Sequence, residues 1–385
     1  MERRSCKLLV PIVEESGVYI ARGSGSISGK LEVQIDRDNE PPTRVKARQA
    51  VIIATGSEPI IPDISGLENC DCWTPRDATS AQIVPRHLLI MGAGAVDSEM
   101  ATAYSSFGAR VTLISSSAEI LSCVDPEAGC LVRQSLESKG VVVKTGTRVV
   151  QVKRLDDGSV TATLSSGEEI SGSELLIAVG RRDRHKMLNL ESVGAKANER
   201  WVDVEDSLTV KMDDAGWLYA VGDANGRALL THTSKYHGRI VATAIVARSE
   251  GASVAGTDWI ACCASADKFA VPQTISTDPP IASVGHTRAS AKAATVVFQE
   301  ITAPFLTLGA KIASDKTTEG WAQWIVDSQN RLVGATLVGK GASEVLHGST
   351  VAVVGGIDLK RLVHAIPSLP TISEVYLNLI DAAGF

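Results

Sequence analysis

The segment Gly92 to Asp97 (GAGAVD) has the residue types and spacing that seat a dinucleotide phosphate. The first glycine allows a tight strand-to-helix turn. The second lets a pyrophosphate approach the N–H groups that open a helix, where the helix dipole favours an anion. A third glycine, which would let helix and strand pack closely, is replaced by Asp97. An acid that would hold a ribose 2′-hydroxyl at the end of the next strand is replaced by Ser115, followed by Ser116 and Ser117. That serine run holds neither an acid nor an arginine, so NAD and NADP both stay open as ligands. The seven cysteines are odd in number and form no CxxC, as expected of reduced thiols. No metal site is expected.

The elements that must position this turn are legible around it. HLLIMGAGAVDSEMATAYSSFGARVTLI reads as strand, glycine turn, alanine-rich helix, Gly108 as stop, then strand, one βαβ unit. A helix is expected over 126–139, then strands VVVKTG, RVVQVKR, SVTATLSS and ELLIAVG. Before it, Val18 to Gly29 and Leu31 to Ile35 read as two short strands of a meander, and VIIATGS as an apolar strand ending at a Thr-Gly turn. A helix is expected from about 233 to 248, followed by a linker over 250–257. The last third alternates strands and helices as a separate α+β domain with an antiparallel sheet.

Composition narrows the function class. The chain has 385 residues, 44% hydrophobic and 4% aromatic, with a net charge of −6. It can bury two or three cores of α/β type, and its acidity argues against a nucleic-acid partner. No apolar run reaches the roughly 18 residues of a membrane span. The opening residues lack the long apolar core and cleavage site of a signal peptide. A cytoplasmic protein is expected.

Several ordered motifs resemble the pyridine nucleotide–disulfide oxidoreductase family, which includes dihydrolipoamide dehydrogenase, mercuric reductase and quinone-reducing flavoproteins. VIIATGSEP (51–59) is similar to the family's ATG segment, and GAGAVDSEM to its NAD(P) fingerprint. LLIAVGRR (175–182) resembles the strand closing the NAD(P) domain, and LYAVGDANGRALLTH (218–232) the second flavin motif. VPQTISTDPPIASVGHT (271–287) resembles the start of the dimerisation domain, and PTISE (370–374) the C-terminal active-site motif.

The resemblance implies an α/β protein with Rossmann-like FAD- and NAD(P)-binding domains in three layers and a C-terminal α+β dimerisation domain. Residues 1–80 would be the C-terminal part of the FAD domain, 81–182 the NAD(P) domain, 183–255 the completion of the FAD domain and 268–385 the homodimer interface. Gly25, Thr55, Gly56, Ser57, Asp223, Leu229, Leu230, Thr231 and His232 would contact FAD. Gly92, Gly94, Ala95, Glu99, Ser115, Val149 and Gly180 would lie along NAD or NADP. His364 and Glu374 are the candidates for catalysis, although Leu369 stands directly before Pro370, where thiol-active members carry a histidine. Nothing before Val51 carries a second GxGxxG or a redox cysteine pair, so the chain is expected to begin inside the flavin domain.

The implied function is an FAD-dependent NAD(P)H oxidoreductase that passes hydride to the flavin and on to a small acceptor such as a quinone, without dithiol chemistry. The alternative is an inactive family remnant serving as an NAD(P)-binding or dimerisation module. A flavin-free NAD-dependent dehydrogenase would leave the GDANGRALLTH segment and the last third without a role.

Overall fold

The computed structural model describes residues 2–198, 200–214, 216–254, 258–306 and 320–385. The end of the expected 250–257 linker and a stretch of the C-terminal domain, 307–319, lie outside the described residues. The chain divides into two compact units, one of residues 1–58 and 181–267, the other of 59–180 and 268–385.

The second unit is built on a four-stranded parallel sheet in the order Glu174–Ile177, His87–Met91, Arg110–Ile114, Val142–Lys144. Leu88, Leu89 and Ile90 are fully buried, as central parallel strands covered on both faces must be. Their alternation assigns the two faces. Leu88 and Ile90 pack with Ala101, Tyr104, Val132 and Leu136 beneath the helices Ala95–Ser106 and Pro126–Ser138. Leu89 and Met91 pack with Val149, Val152, Val160 and Leu164. Those last residues belong to an antiparallel ribbon of Val149–Arg154, Val160–Leu164 and Glu169–Gly172. The third strand of the ribbon was not anticipated from the sequence, because EEISG alternates too briefly to show a period.

The same unit carries a five-stranded antiparallel sheet ordered Gln273–Ile275, Ile281–Gly285, Leu332–Val338, Trp321–Asp327, Phe298–Pro304. Helices Ala342–Val354 and Val375–Ala382 pack into its core, where buried Trp324 stacks on Tyr376 with ring centres 5.8 Å apart. Ile275, Ile281 and Val338 join the core of the parallel sheet. Asp125, just before the helix Pro126–Ser138, links the two sheets. Its Oδ1 accepts from the Arg288 N–H and its Oδ2 from the Thr336 hydroxyl, both at 3.0 Å. Arg288 in turn pairs with Glu127 and Glu300, each at 2.8 Å.

In the first unit a meander of Ser24–Gly29, Glu32–Arg37 and Glu40–Lys46 precedes a parallel pair, Val51–Ile53 with Leu218–Ala220. The sequence suggested only two meander strands. The third runs through Pro41 and Pro42 and is exposed throughout, which an edge strand tolerates because its outward N–H positions need no partner. The opening residues form a helix, Glu2–Glu15. A 19-residue helix, Thr231–Ser249, covers the parallel pair, with Val241 and Ala244 fully buried beside Leu218 and Tyr219. Among the described residues no helix is long and apolar enough to cross a membrane.

Asp125→Ala removes the acceptor from the Arg288 N–H and from the Thr336 hydroxyl. The loss expected is about 1–3 kcal/mol, seen as a lower unfolding midpoint in urea, with Asp125→Asn intermediate. A midpoint unchanged in the alanine variant would show that the sheets are joined by apolar packing alone.

Candidate dinucleotide and flavin sites

At the C-terminal edge of the parallel sheet lies a cavity of about 530 Å³, where open α/β sheets bind ligands. Gly92 turns the chain out of its strand with φ +135°, and its N–H donates to Ile114 O at 2.9 Å. A Cβ at Gly92 would come within 2.7 Å of Asp97 Cγ on the helix and 2.9 Å of Ala178 O beside the sheet, so only glycine lets helix and sheet approach this closely. The cavity is lined by Gly92, Gly94, Ser115, Val149 and Gly180, five of the residues expected along the dinucleotide. Ala95 opens the helix. Glu99 is not part of the lining; its carboxylate accepts from the Ser276 N–H at 2.7 Å.

Arg148 also lines this cavity. The Gly146 and Thr147 N–H groups donate to the carbonyls of Ser117 and Ser115 at 2.8 and 3.0 Å, which sets Arg148 beside the serine run. Among the described residues it makes no ion pair. Sequence reading missed it because the run itself holds no arginine. The cation arrives from the next connection, one residue before the singled-out Val149.

Asp97 fills the turn. It is 2% exposed, and its Oδ2 accepts from the Gly94 N–H at 2.7 Å. Its Oδ1 is buried without a partner. Burial pushes this carboxyl up to about 7, against the opposing pull of the Gly94 and Asp97 N–H groups.

In the first unit a second cluster gathers Ser57, Arg181 and Asp223. The Ser57 hydroxyl donates to Asp223 Oδ2 at 2.5 Å, and Arg181 donates to the Ser57 hydroxyl and carbonyl at 2.7 and 2.8 Å. Asp223 Oδ1 takes no part in these bonds and the side chain is 23% exposed, so a hydroxyl-bearing ligand can still reach the carboxylate. The turn carrying Asp223 is held from behind by fully buried His237. The Gly222 N–H donates to its Nδ1 at 3.0 Å, so the ring proton sits on Nε2, facing Asp267 Oδ2 at 2.9 Å. Arg227 joins Asp267 to Asp206.

Leu230, a residue whose side chain cannot cap, precedes the helix that starts at Thr231; His232 is exposed. Thr55 is exposed and Gly56 has φ +70°. Gly25 belongs to another sheet, where it pairs with Ile35. The reachable Asp223 carboxylate fits the hydroxyl-bearing part of a flavin nucleotide.

His364 is exposed after the turn Leu359–Leu362, and Glu374 closes a short helical turn after the cis Leu369–Pro370 bond. Cys70 is buried and Cys72 half-buried, and burial followed by the neighbouring Cys70 pushes the Cys72 thiol up.

Comparison with known proteins shows the family. Residues 12–251 match the family described as pyridine nucleotide-disulphide oxidoreductase, and residues 271–380 match its dimerisation domain. A dihydrolipoyl dehydrogenase of Thermus scotoductus is 30% identical over 379 residues, covering 96% of this chain and 76% of that protein. LpdA of Mycobacterium tuberculosis superposes with a TM-score of 0.83 at 23% identity over 99% of this chain and 80% of that one. The HOCl-induced flavoprotein disulfide reductase RclA of Escherichia coli gives 0.79 at 23% over 94% and 79%. The fold and the family match define an α/β oxidoreductase with Rossmann-like nucleotide-binding domains. The chain belongs to the pyridine nucleotide-disulphide oxidoreductase family, whose members bind FAD and NAD(P)H.

The Asp97 carboxyl has a pH signature in stability. From about pH 4 to about pH 7 the folded protein keeps this proton and the unfolded chain does not, so stability falls as pH rises through that window and then levels off. At ~1.4 kcal/mol per pH unit the loss is of order 4 kcal/mol. Asp97→Asn should unfold at a higher temperature than the unmodified protein at pH 8, with the gap closing near pH 4. A gap of equal size at both pH values would assign the effect to something other than this proton.

Proposed function

We propose that the chain is a flavin-dependent oxidoreductase that takes hydride from NADPH and delivers it to a small acceptor such as a quinone. The observation that carries this reading is the cavity that places a positive-φ glycine turn, a helix start and Arg148 around one space. The N–H groups from Gly94 onward would hold the pyrophosphate. Ser115 to Ser117 and Arg148 would receive the 2′-phosphate, and the absence of an acid there favours NADPH over NADH. Ser57 and Arg181 would orient Asp223 toward the ribityl hydroxyls of FAD, with Leu229 to His232 beside the flavin. Bound FAD would supply a two-electron carrier between nicotinamide and acceptor. NADPH, a proton and a quinone would give NADP⁺ and the hydroquinone.

Dithiol exchange is not part of this proposal. It needs a thiolate, and the thiol of Cys72 is held protonated. A base directly before Pro370 is replaced by Leu369, 68% exposed. We further propose that two copies associate through residues 268–385, which would cover exposed Ile366 and Leu369. The rival reading, a nucleotide-binding module without catalysis, shares the same dinucleotide cavity.

Incubation with FAD followed by desalting separates the two. Retained flavin that is bleached by NADPH without oxygen and recovers its colour on adding a quinone, but not a disulfide, is the expected result. Protein that stays colourless while binding NADPH would establish the rival. Arg148→Ala should weaken NADPH binding about 10- to 100-fold, as loss of a charge-assisted contact does, and leave NADH affinity within about twofold. Equal losses for both nucleotides would remove Arg148 from the specificity site.

A further inference from the structure

Asp97 sits where the proposed dinucleotide needs its donors. It is the third residue of a 12-residue helix, and its carboxylate occupies the Gly94 N–H that opens the phosphate turn. The second oxygen is buried without a partner and points over Gly92, into the place a Cβ there would take. The carboxylate thus imitates an anion already seated in the turn.

Among the described residues Asp97 makes no ion pair. The end of the strand His87–Met91, the loops after Arg110–Ile114 and Val142–Lys144, and the segment after Glu174–Ile177 bring one charged side chain besides Asp97 to the cavity, Arg148. On the helix itself Glu99 is turned to the Ser276 N–H. A pyrophosphate in this cavity would meet a second negative group, itself only 2% exposed, competing for the same N–H donors.

We propose that Asp97 couples dinucleotide binding to proton uptake, the pyrophosphate binding the form of the site in which the Asp97 carboxyl is neutral. The inference rests on the reading of this cavity as the NADPH site. It makes Asp97 a determinant of affinity that stands in place of the glycine usual at this position. Burial already brings the carboxyl close to half-protonated near neutrality, so the cost of neutralising it is small at pH 6 and grows above pH 7.

Calorimetric titration of the unmodified full chain with NADPH, at pH 6, 7 and 8 in buffers of different ionisation enthalpy, tests it. The expected result at pH 8 is uptake of close to one proton per dinucleotide, with affinity falling about tenfold per pH unit above pH 7. Asp97→Asn, neutral and of the same shape, should bind with no proton uptake beyond that of the nucleotide itself, and Asp97→Gly should bind more tightly than the unmodified protein at pH 8. Binding by the unmodified protein with no proton uptake at pH 8 overturns the role of Asp97 and leaves the NADPH site standing, whether or not the variants fold. Proton uptake unchanged in Asp97→Asn does the same. Absence of NADPH binding by both the unmodified protein and Asp97→Gly across the pH range overturns the site reading and this inference together.

Discussion

The close approach of a helix start to the edge of a parallel sheet is the constraint on which the nucleotide-binding unit depends. A helix leaves its first N–H groups without internal partners, and they can face an anion only if the preceding turn brings no side chain between. Gly92 meets that need: its backbone takes a left-handed conformation, and its missing Cβ leaves room for Ala178 O. The surroundings hold the turn at both ends. The Gly92 N–H bonds to Ile114 O, the Ala178 N–H to Met91 O and the Leu121 N–H to Ala93 O. The strand-to-helix corner is thus pinned to its neighbours on both sides before any ligand arrives.

The same corner carries a carboxyl whose charge the fold itself penalises. Asp97 satisfies a helix-start donor from within the chain, which an N-terminal carboxylate does well at a surface. Here it is buried, so the charge that would interact best with the helix start is the charge that burial penalises. Natural sequences break local rules mainly where function or strain is involved.

The cluster around Asp223 is organised differently. Asp223 is oriented by neighbours that flank it, Ser57 and Arg181, while its turn is braced from inside by the buried pair His237 and Asp267. A backbone N–H donating to His237 fixes which ring nitrogen carries the proton, and the carboxylate of Asp267 accepts it. Such a buried chain of polar groups is stable only when every member is paired, and each of its named bonds has a partner in the unit that carries Asp223.

The sequence by itself determined the βαβ unit, the glycine turn and the order of motifs that mark the family, because these depend on local periodicity and on residues such as glycine with backbone consequences of their own. It also exposed the departures at Asp97, Ser115 and Leu369. What it could not show was which groups meet across the fold. Arg148 reaches the serine run only because carbonyls of Ser115 and Ser117 capture the N–H groups of the following connection. Glu99 turns away from the cavity to the Ser276 N–H, 177 residues further on. Ser57 finds Asp223 across 166 residues. The charge state of Asp97 follows from how deeply packing buries it. Contacts between distant segments and the dielectric around a side chain are properties of the assembled chain, and only the tertiary structure decides them.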